Sequence, residues 1–88
     1  MELEYMQNII KEIICEKILP GAEIKANDIL AEKGIDSIKI IELVVEIELK
    51  FDFEFEDEKL TYETLRSIKD IAMYVNSRLK TIRLESER

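Results

Sequence analysis

Histidine is absent from this sequence, and cysteine occurs once, at Cys15. Without an imidazole there is no His-based catalytic triad, no usual neutral-pH proton shuttle and no ordinary catalytic zinc site. A single thiol forms no internal disulfide, which fits a reducing, cytoplasmic setting. Cys15 follows Ile13-Ile14 and precedes Glu16. With acids nearby and no histidine to activate it, it reads as a small packing residue rather than a nucleophile. Two glycines and one proline leave little turn chemistry for a fold of many short strands. No apolar run approaches the roughly 18 residues that span a bilayer, and the acidic start of the chain is unlike a signal peptide. Basic residues are the minority, 13 against 20 acids, for a net charge of −7 and a pI near 4.6. Such a surface repels phosphate backbones, so neither a nucleic acid nor a membrane is an expected partner.

What is present is a globular mixture, 47% hydrophobic and 38% charged over 88 residues, enough for one modest core. Residues 3–18 read as a helix, with Leu3, Met6, Ile10, Ile13 and Ile14 on one stripe and Glu2, Glu4, Lys11, Glu12 and Glu16 opposite. Leu19-Pro20-Gly21 stops it. Residues 19–35 form a long connection whose Ile24, Ile29, Leu30 and Ile35 plug gaps between helices, with Asn27-Asp28 capping a short turn. Residues 37–51 form the second helix. Ile38, Ile41, Val45 and Leu49 lie along one line, and Ile40, Leu43, Val44, Ile47 and Phe51 complete a wide apolar face. Asp36 and Ser37 are both good caps at its start.

Residues 51–58 alternate Phe-Asp-Phe-Glu-Phe-Glu-Asp-Glu with the period of a strand. No second strand is available to pair with it, so it reads as an extended loop with Phe51, Phe53 and Phe55 pointing inward. Residues 60–65 read as a short helical turn. Ser67-Ile68-Lys69-Asp70 is a capping-box pattern, with Asp for the usual Glu, opening a last helix over about 68–80. The fold class expected is all-α: a small bundle of three main helices and a short fourth, with a long loop between the first two. The domain is expected to occupy 1–80, with 81–88, polar apart from Ile82 and Leu84, as a fraying tail.

Two features point to function. Residues 36–58 hold nine acids and two lysines, so the whole net charge arises from the second helix and the loop after it. A block of this kind reads as a docking face for basic partners. The second feature is Gly34-Ile35-Asp36-Ser37-Ile38-Lys39-Ile40-Ile41, which sets a hydroxyl at the mouth of a helix, where free N–H groups favour phosphate. Spacing alone leaves Ser37 an ordinary cap.

The run Gly-Ile-Asp-Ser-Ile-Lys-Ile-Ile-Glu-Leu-Val at 34–44 resembles the attachment motif of acyl and peptidyl carrier proteins. The resemblance extends over residues 3–80. It takes in the opening helix, the long loop, Glu48-Leu49-Lys50-Phe51, the alternation that follows, and Thr64-Leu65-Arg66-Ser67-Ile68-Lys69-Asp70-Ile71. It implies a monomeric, non-enzymatic carrier with a 4′-phosphopantetheine arm on Ser37, donated by coenzyme A through a phosphopantetheinyl transferase. Asp36 would help that enzyme place its metal and coenzyme A; no metal site of the carrier's own is implied. Acyl or aminoacyl intermediates would ride the arm as thioesters. A loading enzyme and downstream synthase enzymes would be the other partners. The docking face implied is Ile38, Lys39, Ile41, Glu42, Val45, Glu46 and Glu48, with Ile38, Ile41 and Val45 bordering the arm. Lys39, Leu49 and Lys50 stand where fatty-acid carriers tend to be acidic, and Ser37-Ile38-Lys39 resembles peptidyl carriers. This favours a free-standing carrier in polyketide, nonribosomal peptide or related biosynthesis over housekeeping fatty-acid synthesis.

Two other readings stay open on the residues themselves. Asp52, Glu54, Glu56, Glu58 and Glu63 match positions of a calcium-hand loop, but Asp57 stands where the turn wants glycine, and Phe53 and Phe55 are apolar where such loops are polar. An acidic helical adaptor without a prosthetic group explains the charge and leaves the 34–37 motif a coincidence.

Overall fold

The computed structural model describes residues 3–86, with side chains described for 3–81. Glu2, placed above on the first helix's polar side, lies outside the described residues, as do residues 87 and 88 and the side chains of Ile82 and Leu84. Three helices carry the fold: α1 (Leu3–Ile13), α2 (Ser37–Phe51) and α3 (Ile68–Ser86). There is no strand among the described residues. Helix α1 packs chiefly on α3 and secondarily on α2. The shared core holds Met6, Ile10 and Ile14 from the first helical segment, Leu43 and Ile47 from α2, and Ile68, Ile71 and Val75 from α3, all essentially without solvent contact.

The first helical segment ends by widening. Ile14–Ile18 is a π-helical turn in which the Leu19 N–H reaches the Ile14 carbonyl at 2.8 Å. The wide turn uses a carbonyl that a helix end otherwise leaves orphaned. The Cys15 thiol faces the Ala22 carbonyl at 3.1 Å, so the cysteine is engaged in packing this corner. Gly21, at φ +80°, then turns the chain.

The long connection is stitched to its neighbours. Ile24, Leu30 and Ile35 are buried and Ile29 is half-buried. The Asp28 carboxylate accepts the Lys25 N–H at 2.8 Å, which closes the expected turn and lowers the Asp28 pKa below its ordinary value. The N–H groups of Leu30 and Lys69 donate to the Arg66 and Ala26 carbonyls at 2.9 and 3.0 Å, fastening the connection to the start of α3. A 3-10 turn, Leu30–Lys33, precedes Gly34, whose φ of +95° sets the approach to α2.

After α2 the chain enters a left-handed residue, Asp52 at φ +55°, a conformation that aspartate tolerates better than most side chains. Phe53 and Phe55 then turn inward and Phe51 is half-buried, as the alternation predicts. Phe55 stacks on Phe53 and Tyr74 at centroid distances of 5.3 and 5.1 Å. Tyr74 also clasps the loop: its hydroxyl accepts the Glu56 N–H at 2.9 Å and donates to Glu56 Oε1 at 3.2 Å.

Burial raises the Tyr74 phenol pKa above its ordinary value of 10.0. The folded protein therefore holds this proton more tightly than the unfolded chain. That contribution to stability is present below pH 10.0 and is lost as pH rises through the raised value. Tyr74→Phe is expected to cost about 0.5–1.5 kcal/mol at neutral pH. It is also expected to flatten the alkaline loss of stability, both read by urea unfolding across that range.

Two expectations are corrected. The short fourth helix is only a 3-10 turn, Asp57–Lys59, and the helical turn expected over 60–65 is a single one, closed by the Leu65 N–H on the Thr61 carbonyl at 3.0 Å. At 61–65 the Thr61 hydroxyl accepts the Thr64 N–H at 3.3 Å and bonds the Thr64 hydroxyl at 3.2 Å. The Thr61 hydroxyl thus caps the turn whose backbone bond runs from the Leu65 N–H to the Thr61 carbonyl. Helix α3, opened by Ser67 Oγ accepting the Asp70 N–H at 3.1 Å, runs past residue 80 to Ser86. No helix among the described residues is long and apolar enough to cross a membrane.

Candidate functional site

The site is built at the start of α2. Asp36 and Ser37 compete for the cap, and Asp36 takes it: its carboxylate accepts the Lys39 N–H at 2.9 Å. Ser37 is thereby the first residue inside the helix, exposed, and its hydroxyl makes no hydrogen bond among the described residues. An ordinary cap has its oxygen occupied by the backbone. Here the carboxylate performs that task and the hydroxyl is free, beside the helix's first N–H groups.

Ser37 opens on a cleft of about 390 Å³. One wall is the 3-10 turn and the approach to α2, with Leu30, Ala31 and Ile35; another is α2, with Ile40 and Ile41. The segment before α3 supplies Leu60, Thr61, Tyr62, Leu65 and Arg66. The cleft is lined mainly by apolar side chains, with Asp36, Ser37, Thr61 and Arg66 as its polar ones.

The other expected site residues lie along α2. Ile38, Ile41 and Val45 are 72%, 56% and 46% exposed, and Leu49 is 73% exposed. By its spacing this line belongs to the apolar side of the helix. The structure turns it outward while Leu43, Val44 and Ile47 fill the core. The stripe runs from beside Ser37 to Leu49, about 18 Å at 1.5 Å per residue. Lys39 is partly exposed.

The three acids are not equivalent. Glu46 pairs with Lys17 at 3.2 Å. Glu48 Oε2 accepts the Phe55 N–H at 2.8 Å and so helps hold the aromatic loop. Glu42 is exposed and has no hydrogen bond or salt bridge among the described residues.

Leu49 and the 60–66 wall are site residues that the motif does not indicate. Leu49 carried a signal, its place on the line Ile38–Ile41–Val45. Residues 60–66 carried Leu60, Tyr62 and Leu65 in a polar stretch, without a period. The calcium-hand spacing does not become a site: no three carboxylates converge among the described residues.

A family model described as phosphopantetheine attachment site matches residues 7–75. The acyl carrier protein of Bdellovibrio bacteriovorus is 34% identical over 73 residues, covering 81% of this chain and 91% of that protein. The acyl carrier protein of Syntrophobacter fumaroxidans is 36% identical over 78 residues, covering 85% and 93%. Among solved structures, the chain is similar to one from Bradyrhizobium japonicum glycine:[carrier protein] ligase complexed with glycylated carrier protein. The TM-score is 0.67 at 25% identity, over 76% of this chain and 93% of that one. A second structure of that ligase, with its cognate carrier protein and an analogue of glycyl adenylate, gives a TM-score of 0.73 over 83% of this chain and 97% of that one. At 24% identity this likeness speaks for the fold alone.

Proposed function

The chain belongs to the acyl carrier protein family, a non-enzymatic carrier built around a phosphopantetheine attachment site, and on that premise we propose that Ser37 bears the arm. The observation that carries the assignment is the exposed, unbonded Ser37 hydroxyl, left free by the Asp36 cap. The residues present fit the group: a reactive-side oxygen at a helix N-terminus suits a phosphodiester, and the apolar cleft beside it suits an extended, largely uncharged chain. When bound, the arm supplies a flexible thiol that carries acyl or aminoacyl groups as thioesters.

Each residue then has a task. Ser37 Oγ loses its proton to a base of the transferase as its bond to phosphorus forms; the phosphoanhydride of coenzyme A breaks and its nucleotide half leaves. Asp36 holds the first turn of α2 in place and offers its second oxygen to the transferase's metal. Ile38, Ile41 and Val45 are the apolar contacts for partner enzymes, with Glu42 as the free acid for their Arg or Lys side chains. Lys39, Glu46 and Glu48 flank them; Glu46 and Glu48 also serve the fold. Tethering raises the local concentration of the cargo at each docked enzyme. Docking is weak and salt-sensitive, as release requires.

The carrier serves a specialised pathway, loaded by an adenylating ligase with an acyl or aminoacyl group. Support comes from Lys39, Leu49 and Lys50, which dilute the acidity of α2, and from the likeness to a glycylated carrier. A housekeeping role in fatty-acid synthesis is the second reading, favoured by the naming of the curated relatives. Offering the arm-bearing protein to amino-acid ligases and to fatty-acyl ligases, with intact mass as the readout, separates them. Aminoacyl or unusual acyl loading without fatty-acid elongation is expected; efficient loading and elongation by fatty-acid enzymes alone would reverse the assignment.

A further inference from the structure

The cleft beside Ser37 has one cationic side chain among its lining residues, Arg66. Its position is fixed twice. The Arg66 carbonyl accepts the Leu30 N–H at 2.9 Å, tying it to the opposite wall. Its Nε donates to Asp70 Oδ2 at 3.4 Å, an i, i+4 pair at the start of α3. That pair lies where Arg66 also borders a second hollow, with Ser67, Asp70 and Met73, so the side chain stands between the two, with both terminal amino groups without another partner among the described residues. Those groups form the fork that grips phosphate oxygens.

The surroundings make a cation there consequential. The protein carries a net charge of −7, all of it arising in residues 36–58, and Asp36 adjoins Ser37. A phosphodiester on Ser37 adds another negative charge next to that carboxylate. Lys39 is nearby in sequence but does not line the cleft.

We propose that Arg66 is a positioning residue that holds the phosphodiester of the arm from across the cleft, so that the first part of the arm lies against Ile41 and Leu65 rather than swinging freely. This rests on the reading that Ser37 bears the arm. The half-exposed Arg66 makes the hold salt-sensitive and releasable, as delivery to a docked enzyme requires.

The test uses the arm-bearing protein with an empty thiol, so that the phosphodiester is the anion under study and no cargo carboxylate contributes. Intact mass and peptide mapping first establish that wild type, Arg66→Gln, Arg66→Lys and Lys39→Gln each carry the arm on Ser37. Failure at that step sinks the attachment reading, not the role of Arg66. Melting of the forms without the arm then shows that the variants fold.

The readouts are the phosphorus-31 resonance and the nuclear Overhauser contacts between the arm and the Ile41 and Leu65 methyls. Wild type is expected to show a phosphorus resonance displaced from that of its urea-unfolded form, together with those contacts. Arg66→Gln should lose both, Arg66→Lys should keep part, and added salt should move wild type toward Arg66→Gln. Identical resonances and contacts in wild type and Arg66→Gln would overturn the proposal, as would a loss seen in Lys39→Gln instead. A difference appearing only when a carboxylate-bearing cargo is loaded would also overturn it, since the anion held would then be the cargo's.

Discussion

Ser37→Ala is expected to fold as wild type does and to accept no arm from coenzyme A. The usual cost of deleting a helix-capping serine, about 0.5–2 kcal/mol, should not appear. The cap is Asp36, and the Ser37 hydroxyl makes no bond among the described residues. Alanine just inside a helix is a better helix former than serine, so the change should be neutral or slightly stabilising. Asp36→Ala should do the reverse. It should lose the Lys39 N–H bond and the capping energy, lowering the melting temperature by about 4–8 °C per kcal/mol for a domain of this size. Modification should slow but persist, because the hydroxyl remains. The pair therefore separates two neighbours that look interchangeable in the sequence. Thermal unfolding and transferase rates on both variants check it. A destabilised Ser37→Ala beside an unaffected Asp36→Ala would mean that the serine is the cap and the structural basis for a free hydroxyl is mistaken.

The outward stripe on α2 gives the second large effect. Ile41 is 56% exposed and borders the cleft, so Ile41→Ala should cost little in folding. At a docked interface it becomes an apolar anchor near the reacting serine. Truncating such an anchor typically costs 2 kcal/mol or more, so transferase kcat/KM should fall on the order of tenfold or further, at low and high salt alike. Glu42→Lys should behave differently. Its stability change should be within about half a kcal/mol, as for most exposed substitutions. Its effect on kcat/KM should be several-fold at low salt and fade as salt screens the repulsion from a partner's Arg or Lys. Measuring both variants against salt distinguishes contact from steering. An Ile41→Ala protein with wild-type kinetics would remove the stripe from the docking face.

The extent of α2 was legible because a turn-permitting glycine, two capping residues and an unbroken apolar run coincide at its start. Which way its apolar lines faced was not. A helix with so wide an apolar face does not separate, by periodicity alone, the part that meets the core from the part that awaits a partner. Ile38, Ile41, Val45 and Leu49 lie on one apolar line with nothing in their residue types to mark it as outward; only the family resemblance set Ile38, Ile41 and Val45 on a docking face, and all four stand in solvent. The phenylalanine alternation was legible as a loop because a strand needs a partner and the sequence has none. The widened turn at Ile14–Ile18 was not legible: its i, i+5 bond depends on where Leu19 and Ala22 settle, and residue types do not record that. Residues 60–65 read as a short helical turn and form one, capped by the Thr61 hydroxyl and closed by the Leu65 N–H on the Thr61 carbonyl. The motif around Ser37 named the right neighbourhood. The division of labour between Asp36 and Ser37 needed geometry, because either side chain caps a helix well.

The central claim, that Ser37 is where this carrier is armed, meets its most direct test in one measurement. The protein is incubated with coenzyme A and a broad-specificity phosphopantetheinyl transferase, and the product is analysed by intact mass with fragmentation of the peptide containing residues 34–39. One arm per chain, localised to Ser37, is the predicted result. An unchanged mass, or an arm localised to any other hydroxyl, would contradict the account.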